Sequence, residues 1–267
     1  MTLIRVDHVA KSFPARHGSI AIMQDISFDV RDSDFVAIVG PSGCGKSTLL
    51  RLIQGLDHPT SGEIVFRDRK VDGVCGQMAM VFQSFALYPW LTVSENVAFG
   101  LEALDWPREK IGAQVERFVS VVGLGGFEDA YPRELSGGMR QRVGFARALA
   151  VEPAVLLMDE PFSSLDALTA ESLREEILQL WQDPALPPEA VILVTHNIEE
   201  AILLADRIVV LSRRPGRVLA IVPVDLPRPR DRKSPAFYEL TDRVYSLITE
   251  GGPSTPAGAA AEHPPAA

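Results

Sequence analysis

The amino-acid sequence predicts an α/β fold built around a mainly parallel sheet. Three apolar runs, Phe35–Val39, Ala154–Met158 and Ala190–Val194, are continuous, which is typical of strands buried on both faces. A helix predicted from about Leu168 to Trp181 separates the last two runs, and this strand–helix–strand order is that of parallel sheets. A second helical pattern, Lys46–Gln54, follows the first run after a break at glycine and proline.

The composition excludes several classes of protein. The 267 residues are 46% apolar and carry 26 Lys and Arg against 35 Asp and Glu, a formal net charge of −9. This apolar fraction supports a large packed core, so we exclude disorder for most of the chain. The acidic balance argues against a general nucleic-acid binder, because affinity for phosphate backbones comes mainly from clustered Lys and Arg. The 2 cysteines fit neither a disulfide framework nor a zinc site, which favours a reducing cytosol.

The sequence predicts no membrane-spanning segment. Nowhere do about 18 apolar residues run without a charge. The first residues alternate as a strand does and lack the basic head and apolar run of a signal peptide. Any role at a membrane therefore requires a partner.

Shorter patterns predict strands on either side of the first buried run. Ile4 and Val6 indicate one strand, and the alternation over Ile26–Val30 indicates a second. Two more are predicted at Gly62–Phe66 and Met78–Phe82, with a turn-rich stretch between them.

The middle of the chain predicts a helical insertion at about residues 86–150, predominantly helical from about Ser94. An apolar face at three-to-four spacing runs through Ile111, Val115, Phe118 and Val122. This insertion therefore has a small core of its own.

The C-terminal part predicts one more strand, ending at Val222, and a last helix over roughly Pro235–Thr249. Residues 251–267 are too poor in large apolar side chains to pack, so we predict a disordered Pro/Ala-rich tail. We expect a single domain over residues 1–250.

A phosphate-binding loop of the form GxxxxGK[ST] lies between the first buried strand and the helix that follows it. Its residues are Gly40, Pro41, Ser42, Gly43, Cys44, Gly45, Lys46 and Ser47. Glycines let the backbone wrap a polyphosphate, Lys46 adds a positive charge, and the Ser47 hydroxyl is a magnesium ligand. The alternative is a chance glycine-rich turn, which the flanking strand and helix disfavour.

Two carboxylates, Asp159 and Glu160, end the buried strand Ala154–Met158. Ligands of open parallel sheets bind at this edge. Asp159 is predicted to hold magnesium, directly or through water, and Glu160 to polarise or orient the attacking water. The alternative is a solvated acidic strand end, and the phosphate loop upstream favours the functional interpretation.

The segment Leu135-Ser136-Gly137-Gly138 opens a helix and forms an anion-binding N-terminus. With this motif, the chain from about Met1 to Thr249 resembles the ATP-binding subunits of ABC transporters. The other motifs of that family follow in order: Phe13, Gln83, Ser164-Leu165-Asp166 and Thr195-His196. Taken singly, each of these motifs is weak evidence for the family. Phe13 could equally be an ordinary core residue, Gln83 a strand cap, Asp166 a helix cap and His196 a structural residue.

The resemblance implies a phosphate-loop NTPase fold with an ABC-type core, an antiparallel β subdomain and the inserted helical subdomain. It implies ATP and Mg²⁺ as cofactors and assigns catalysis to Glu160, His196 and Gln83. It assigns magnesium to Ser47, Gln83 and Asp159. The implied nucleotide-binding residues are Phe13, Gly40, Pro41, Ser42, Gly43, Cys44, Gly45, Lys46, Ser47, Thr48, Ser136, Gly137, Gly138 and Asp166.

The resemblance also implies a head-to-tail homodimer that traps two ATP molecules. Each ATP would lie between one phosphate loop and the Ser136–Gly138 turn of the partner, with Asp166 at the dimer seam. Because Glu160 and His196 are both present, both sites of a homodimer are expected to hydrolyse ATP.

Three positions in these motifs stand out. Met139 and Phe13 depart from the glutamine and tyrosine that are common in the family. Cys44 lies near the phosphates and a helix N-terminus, which suggests a thiol of lowered pKa; the alternative is a tolerated small residue.

The loop after Gln83 has the composition of a docking surface, and we predict that its residues Tyr88, Pro89, Trp90 and Leu91 lie at the surface. In ABC subunits this region receives an integral membrane permease. The sequence from Pro89 to Val93 resembles that of the nitrate/sulfonate/taurine import group. The alternative is that Trp90 packs the helical insertion onto the main sheet.

Two basic stretches follow. Arg213–Arg217 also resembles the import group, and Arg228–Lys233 fits either a site near anionic lipid or a solvated loop.

The sequence thus predicts the ATPase subunit of a bacterial importer for a small oxyanion or sulfonate-like solute. We expect the subunit to be peripheral at the cytoplasmic face of the inner membrane, with a solute-binding protein as an indirect partner. An exporter or lipid-transport subunit and a soluble ABC ATPase remain as alternatives.

Overall fold

A computed structural model describes residues 1–16, 18–183 and 188–250. The strands are β1 (Thr2–Ala15), β2 (Gly18–Arg31), β3 (Phe35–Val39), β4 (Ser61–Phe66), β5 (Arg69–Lys70), β6 (Met78–Val81), β7 (Val155–Asp159), β8 (Ala190–Thr195), β9 (Arg207–Leu211) and β10 (Val218–Pro223). The helices are α1 (Lys46–Gln54), α2 (Val93–Ala103), α3 (Arg108–Val121), α4 (Gly137–Ala150), α5 (Ala167–Gln182), α6 (Ile198–Leu204) and α7 (Pro235–Glu250), with a short 3₁₀ helix at Pro132–Glu134. The tail predicted at 251–267 lies outside the described residues.

The main sheet has the strand order β10-β9-β3-β8-β7-β6. The strands from β9 to β6 are parallel, and β10 pairs antiparallel with β9 at one edge. Every residue of β3, β6, β7 and β8 is buried. The continuous apolar runs of the sequence therefore did indicate strands covered on both faces, and the α/β class with a mainly parallel sheet is confirmed.

A second, antiparallel sheet has the order β2-β1-β4-β5. The alternating burial along β1 leaves one face for the core and one for solvent. The residues that face inward pack with α1 and with Val36 and Ile38 of the main sheet in one core cluster. Phe35, Ala37 and Val39 face the opposite way, into a second cluster with the other helices. Helix α1 thus lies between the two sheets.

Helices α2, α3 and α4 occupy the stretch of chain between β6 and β7. Phe118 of α3 is fully buried, and Val115 and Val122 of the predicted apolar face are also buried. The helical face that the spacing indicated is therefore the packed face.

Individual arginines of the two basic stretches make structural contacts. Arg214 Nε donates to Ala21 O at 3.2 Å, and Arg217 bonds Gln24 Oε1 at 2.7 Å, which ties the turn between β9 and β10 to β2. The expectation that Arg228–Lys233 is a lipid site or a solvated loop is wrong for Arg230. Its side chain is only 2% exposed and donates to carbonyls at the end of α6, including those of Ile202 and Ala205.

Among the residues with described positions, no helix combines the length and apolar character needed to cross a bilayer.

Candidate functional site

The predicted phosphate loop joins β3 to α1, as the sequence indicated. Gly45 precedes the helix with φ 103°, and no side chain caps the first N–H groups of α1. A Cβ on Gly45 would lie 2.8 Å from Ile22 Cγ2, so glycine is required there by both conformation and space. The open N–H groups and the helix dipole give this end of α1 the positive potential that suits an anion.

Lys46 reaches back over the loop. Its Nζ donates to Gly40 O at 2.9 Å and to Pro41 O at 3.3 Å, and the residue is only 6% exposed. The loop carbonyls therefore hold this buried cation beside the N-terminus of α1. A phosphate oxygen that binds there can replace the carbonyls as the hydrogen-bond acceptor of the Lys46 ammonium.

Ser47 and Asp159 meet although they are far apart in sequence. Ser47 Oγ donates to Asp159 Oδ1 at 2.7 Å. Burial raises the pKa of Asp159, the Ser47 hydrogen bond opposes that rise, and the neighbouring charge of Glu160 adds to it. The pair presents one hydroxyl and one carboxylate oxygen, the donor types that Mg²⁺ prefers.

Glu160 and His196 form the second pair. His196 Nδ1 lies 3.0 Å from Glu160 Oε2, at the ends of the neighbouring strands β7 and β8. Glu160 has φ 46°, and its backbone N–H donates to Val194 O at 2.9 Å. The chain thus turns sharply after β7. The half-buried carboxylate of Glu160 and the exposed imidazole of His196, which follows β8, lie at the same edge of the sheet.

Gln83 follows β6 at this edge of the sheet. Its backbone carbonyl accepts a hydrogen bond from Ser164 Oγ at 3.2 Å. The loop that carries Gln83 therefore contacts the segment that follows Glu160, and the Gln83 side chain is exposed.

The Ser136–Gly138 turn begins α4. Ser136 Oγ accepts from Met139 N at 3.2 Å, which makes Ser136 the N-cap. A Cβ on Gly138 would lie 2.4 Å from Thr169 Cγ2, so the turn packs closely on the first turn of α5. In the described residues these contacts join the turn to α5, whereas the phosphate loop contacts β7 through Ser47.

Asp166 has the helix-cap role that the sequence left open. Its carboxylate accepts from Thr169 N at 3.0 Å and Thr169 Oγ1 at 2.7 Å at the start of α5. These bonds, chiefly the one from the Thr169 hydroxyl, lower the pKa of Asp166. Asp166 and Gly138 thus both contact Thr169.

Phe13 lies on β1 and is 40% exposed, so part of its ring is free to stack on a ligand. Lys11 Nζ lies 5.0 Å from the ring centroid and is held by Asp57 Oδ1 at 2.6 Å and His58 O at 2.7 Å. Sequence reasoning missed Lys11; its position two residues before Phe13, on the same face of a strand, was the available signal.

The hypothesis of a reactive Cys44 thiol is wrong. Cys44 is 1% exposed, and burial raises the pKa of its thiol, although the charge of Lys46 opposes this. The alternative, a small residue that fits the loop, describes it better.

The loop with the predicted docking composition is an exposed aromatic surface. Trp90 is 69% exposed, and Tyr88 packs on Phe99 at a centroid distance of 4.4 Å. Beside it lies a groove of about 660 Å³. Its walls include Trp90, Leu91, Phe99, Ile111 and Val115, with Glu95, Glu102, Glu116 and Glu128 among the lining residues.

A phosphate loop on a parallel sheet, with a paired hydroxyl and carboxylate and a following Glu–His pair at the strand ends, defines the class of phosphate-loop nucleoside triphosphatases. Comparison with known proteins specifies the family within this class. The family described as ABC transporter matches residues 23–163. An uncharacterized ABC transporter ATP-binding protein of Methanocaldococcus jannaschii is 44% identical over 92% of this chain and 91% of its own length.

Two further comparisons agree. The aliphatic sulfonates import ATP-binding protein SsuB of Bacillus cereus is 41% identical over 93% of this chain and 97% of its own length. The dimeric post-hydrolysis state of an ATP-binding cassette, bound to ADP and Pi, matches with a TM-score of 0.73 and 30% identity, over 83% of this chain and 99% of that chain. The chain belongs to the ATP-binding proteins of ABC transporters, and it is an ABC ATPase.

Proposed function

We propose that this protein is the ATP-hydrolysing subunit of a bacterial ABC importer for a small oxyanion or sulfonate-like solute. The observation that carries the ATPase chemistry is the meeting of Ser47 with Asp159 and of Glu160 with His196 at the strand ends that face the phosphate loop. In this proposal residues 1–250 are the ATPase domain, with the helical insertion at about 86–150.

ATP would be held by the phosphate loop at the N-terminus of α1 and by Phe13 at its base. The buried Lys46 ammonium exchanges its loop carbonyls for phosphate oxygens, so binding leaves the charge paired throughout. The exposed part of the Phe13 ring supplies the apolar face for adenine.

Magnesium fits the oxygen set of Ser47, Asp159 and Gln83. The 2.7 Å contact between Ser47 and Asp159 brings a hydroxyl and a carboxylate within reach of one ion. Ser47, Asp159 and Gln83 would hold the ion together with phosphate oxygens and water, because Mg²⁺ usually keeps several waters and binds few protein side chains. When bound, the ion neutralises charge on the transferred phosphoryl group.

Hydrolysis would depend on Glu160 and His196. The carboxylate of Glu160 orients and polarises the attacking water, and the imidazole of His196 reaches the terminal phosphate. The 3.0 Å hydrogen bond between them fixes the imidazole and carboxylate relative to each other.

We further propose a head-to-tail homodimer in which Ser136, Gly137 and Gly138 of each copy contact the ATP of the other. The dimeric form of the solved cassette bound to ADP and Pi supports this arrangement. In this chain the turn is the capped N-terminus of a 14-residue helix, which gives it open N–H groups for a phosphate.

The permease would dock on Tyr88, Pro89, Trp90 and Leu91 and on the groove beside them. The 69% exposure of Trp90 fits this role and does not fit packing onto the main sheet. The acidic residues that line the groove favour a docking segment with at least one Lys or Arg. This arrangement puts the protein at the cytoplasmic face of the inner membrane, bound through the permease.

Import of a sulfonate-like solute is supported by the sulfonate-import relatives of Bacillus cereus and Bacillus thuringiensis. The cargo itself would bind the solute-binding protein and the permease and not this subunit, so the residues described here do not select it.

The experiment is an ATP-dependent pull-down of tagged Glu160→Gln protein from detergent-solubilised native membranes, with Lys46→Ala as the matched control that lacks nucleotide binding. Recovery of a permease with a solute-binding protein supports import, and ligand screening of that binding protein identifies the cargo. A permease alone favours export or lipid transport. Soluble partners only would overturn the transporter function and leave the ATPase chemistry standing.

A further inference from the structure

The loop from Gln83 to Leu91 contains an unfavourable backbone conformation. Phe85 has φ 61° and Ala86 has φ 48°, which is the left-handed region. For residues with a Cβ this conformation brings the Cβ close to the next carbonyl oxygen, so it persists only where the surroundings hold it. Neither residue is one of the short polar types that tolerate the region.

One side chain binds the carbonyls of both strained residues. Arg147, in the last turn of α4, donates from Nη1 to Ala86 O at 2.7 Å and from Nη2 to Phe85 O at 3.2 Å. A second arginine of the same helix, Arg140, lies 5.4 Å from the centroid of the Phe85 ring. The guanidinium fork of Arg147 matches two adjacent carbonyls, which lysine cannot do in one geometry.

The ends of the loop are held by other residues. At one end Ser164 Oγ donates to Gln83 O. At the other end the fully buried Asn96 bonds Tyr88 N at 2.9 Å, Tyr88 O at 3.2 Å and Leu91 O at 3.0 Å. Arg147 therefore supplies the restraint in the middle, between Gln83 and the exposed aromatic surface.

We propose that Arg147 is a positioning residue that ties the loop carrying Gln83 to helix α4. This inference rests on the proposed function, since it concerns the reaction that Gln83 serves. Helix α4 begins at the Ser136–Gly138 turn, so a movement of α4 reaches that turn and, through Arg147, the Gln83 loop. Arg147 acts through the loop, because its guanidinium group is engaged by Phe85 O and Ala86 O.

The first measurement is hydrogen exchange of the backbone amides in residues 83–91. Arg147→Met is compared with Arg142→Met, because Arg142 lies on the same helix and bonds Val122 O and Glu176 instead. We expect faster exchange over 83–91 in Arg147→Met and wild-type exchange there in Arg142→Met. Unchanged exchange in Arg147→Met overturns the proposal.

The second measurement is a double-mutant cycle on kcat with Gln83→Ala. Misplacing a catalytic loop is expected to lower kcat about tenfold in Arg147→Met. If Arg147 acts through Gln83, adding Gln83→Ala lowers kcat little further, whereas Arg142→Met and Gln83→Ala should combine additively. Additive losses for Arg147 and Gln83 overturn the proposal.

If Arg147→Met does not fold, Arg147→Lys replaces it in both measurements. Lysine satisfies one carbonyl and leaves the other, so intermediate exchange and an intermediate, still non-additive loss of kcat are expected. A wild-type protein without ATPase activity would refute the proposed function, and the exchange data would still decide whether Arg147 holds the loop.

Discussion

Ser47 Oγ donates a 2.7 Å hydrogen bond to Asp159 Oδ1, which joins the start of α1 to the end of β7. In this position the hydroxyl is fixed by a carboxylate that is only 9% exposed. We expect Ser47→Ala to raise the magnesium concentration needed for half-maximal ATPase activity by about tenfold, because one oxygen ligand is lost and Asp159 loses its partner.

The matched control is Ser47→Thr, which keeps the hydroxyl and the GxxxxGK[ST] pattern. It should have a magnesium requirement near that of the wild type. The measurement is a magnesium titration of activity at fixed ATP. An unchanged midpoint in Ser47→Ala would exclude Ser47 as a magnesium ligand.

Glu160→Gln should bind ATP and hydrolyse it at least about a hundredfold more slowly, since the amide cannot accept the proton of the attacking water. Bound ATP then persists, and we expect a dimer in size-exclusion chromatography with ATP. Glu199→Gln, at an exposed position near His196, is the control and should retain activity. A monomer at saturating ATP would contradict the proposed dimer.

Lys11→Met should weaken ATP binding while leaving inorganic triphosphate binding unchanged. The Lys11 ammonium lies 5.0 Å from the Phe13 ring centroid and is fixed by Asp57 and His58, so it orients the ring that is expected to stack on adenine. A cation–π contact contributes about 1 kcal/mol, which corresponds to a several-fold change in affinity.

Phe13→Ala is the companion variant and should show the same selectivity for the base. Calorimetric titration with ATP and with inorganic triphosphate provides the comparison. Equal losses for the two ligands in Lys11→Met would mean that the substitution disturbs the phosphate loop and not the ring.

Much of the fold follows from local patterns in the sequence. Runs such as Phe35–Val39 can be continuous only where both faces of a strand are covered, so they predict the main sheet directly. The spacing of Val115, Phe118 and Val122 predicts the buried face of α3 in the same way.

Contacts between distant segments could not be predicted from local patterns. Nothing near Arg230 indicates that its partners are the carbonyls of Ile202 and Ala205, because those groups become available only when α6 ends beside it. Arg147 was missed for the same reason, since the carbonyls that it binds, those of Phe85 and Ala86, are remote in sequence. The contact of Lys11 with Phe13 is local, but the partners that hold Lys11 in place, Asp57 and His58, are also remote. Cys44 was misjudged because proximity to a helix N-terminus is visible in the sequence and burial of the thiol is not.

Alkylation should reach Cys75 before Cys44 at pH 7. Cys44 is 1% exposed and burial raises the pKa of its thiol, so little thiolate is available, whereas Cys75 is half-buried. We expect Cys44 to react in Cys75→Ser protein only well above the ordinary thiol pKa of about 8.5 or after unfolding.

The raised pKa of the Cys44 thiol also makes the stability of the protein depend on pH. As pH rises past the ordinary thiol pKa, the unfolded chain releases the proton first, so the free energy of unfolding falls with pH in that range. Mass spectrometry after timed iodoacetamide treatment at several pH values tests the reactivity. Rapid modification of Cys44 in folded protein at pH 7 would contradict the raised pKa.

Arg230→Met should destabilise the protein by about 3 kcal/mol, because it leaves several buried carbonyls without a donor. The guanidinium is 2% exposed and donates to Ile202 O and Ala205 O, both at 2.6 Å, and to Leu226 O at 3.0 Å. Burial, with a smaller effect of Arg228, lowers its pKa to about 10, so the side chain is still charged at neutral pH.

Arg232→Met is the matched control for Arg230→Met, since Arg232 is 38% exposed and pairs with Glu171 at 3.7 Å on the surface. We expect it to change the free energy of unfolding by less than about 0.5 kcal/mol. Urea denaturation at pH 7 measures both variants. If Arg230→Met were as stable as Arg232→Met and lost binding to anionic vesicles instead, the basic stretch would be a lipid contact and not a cap for α6.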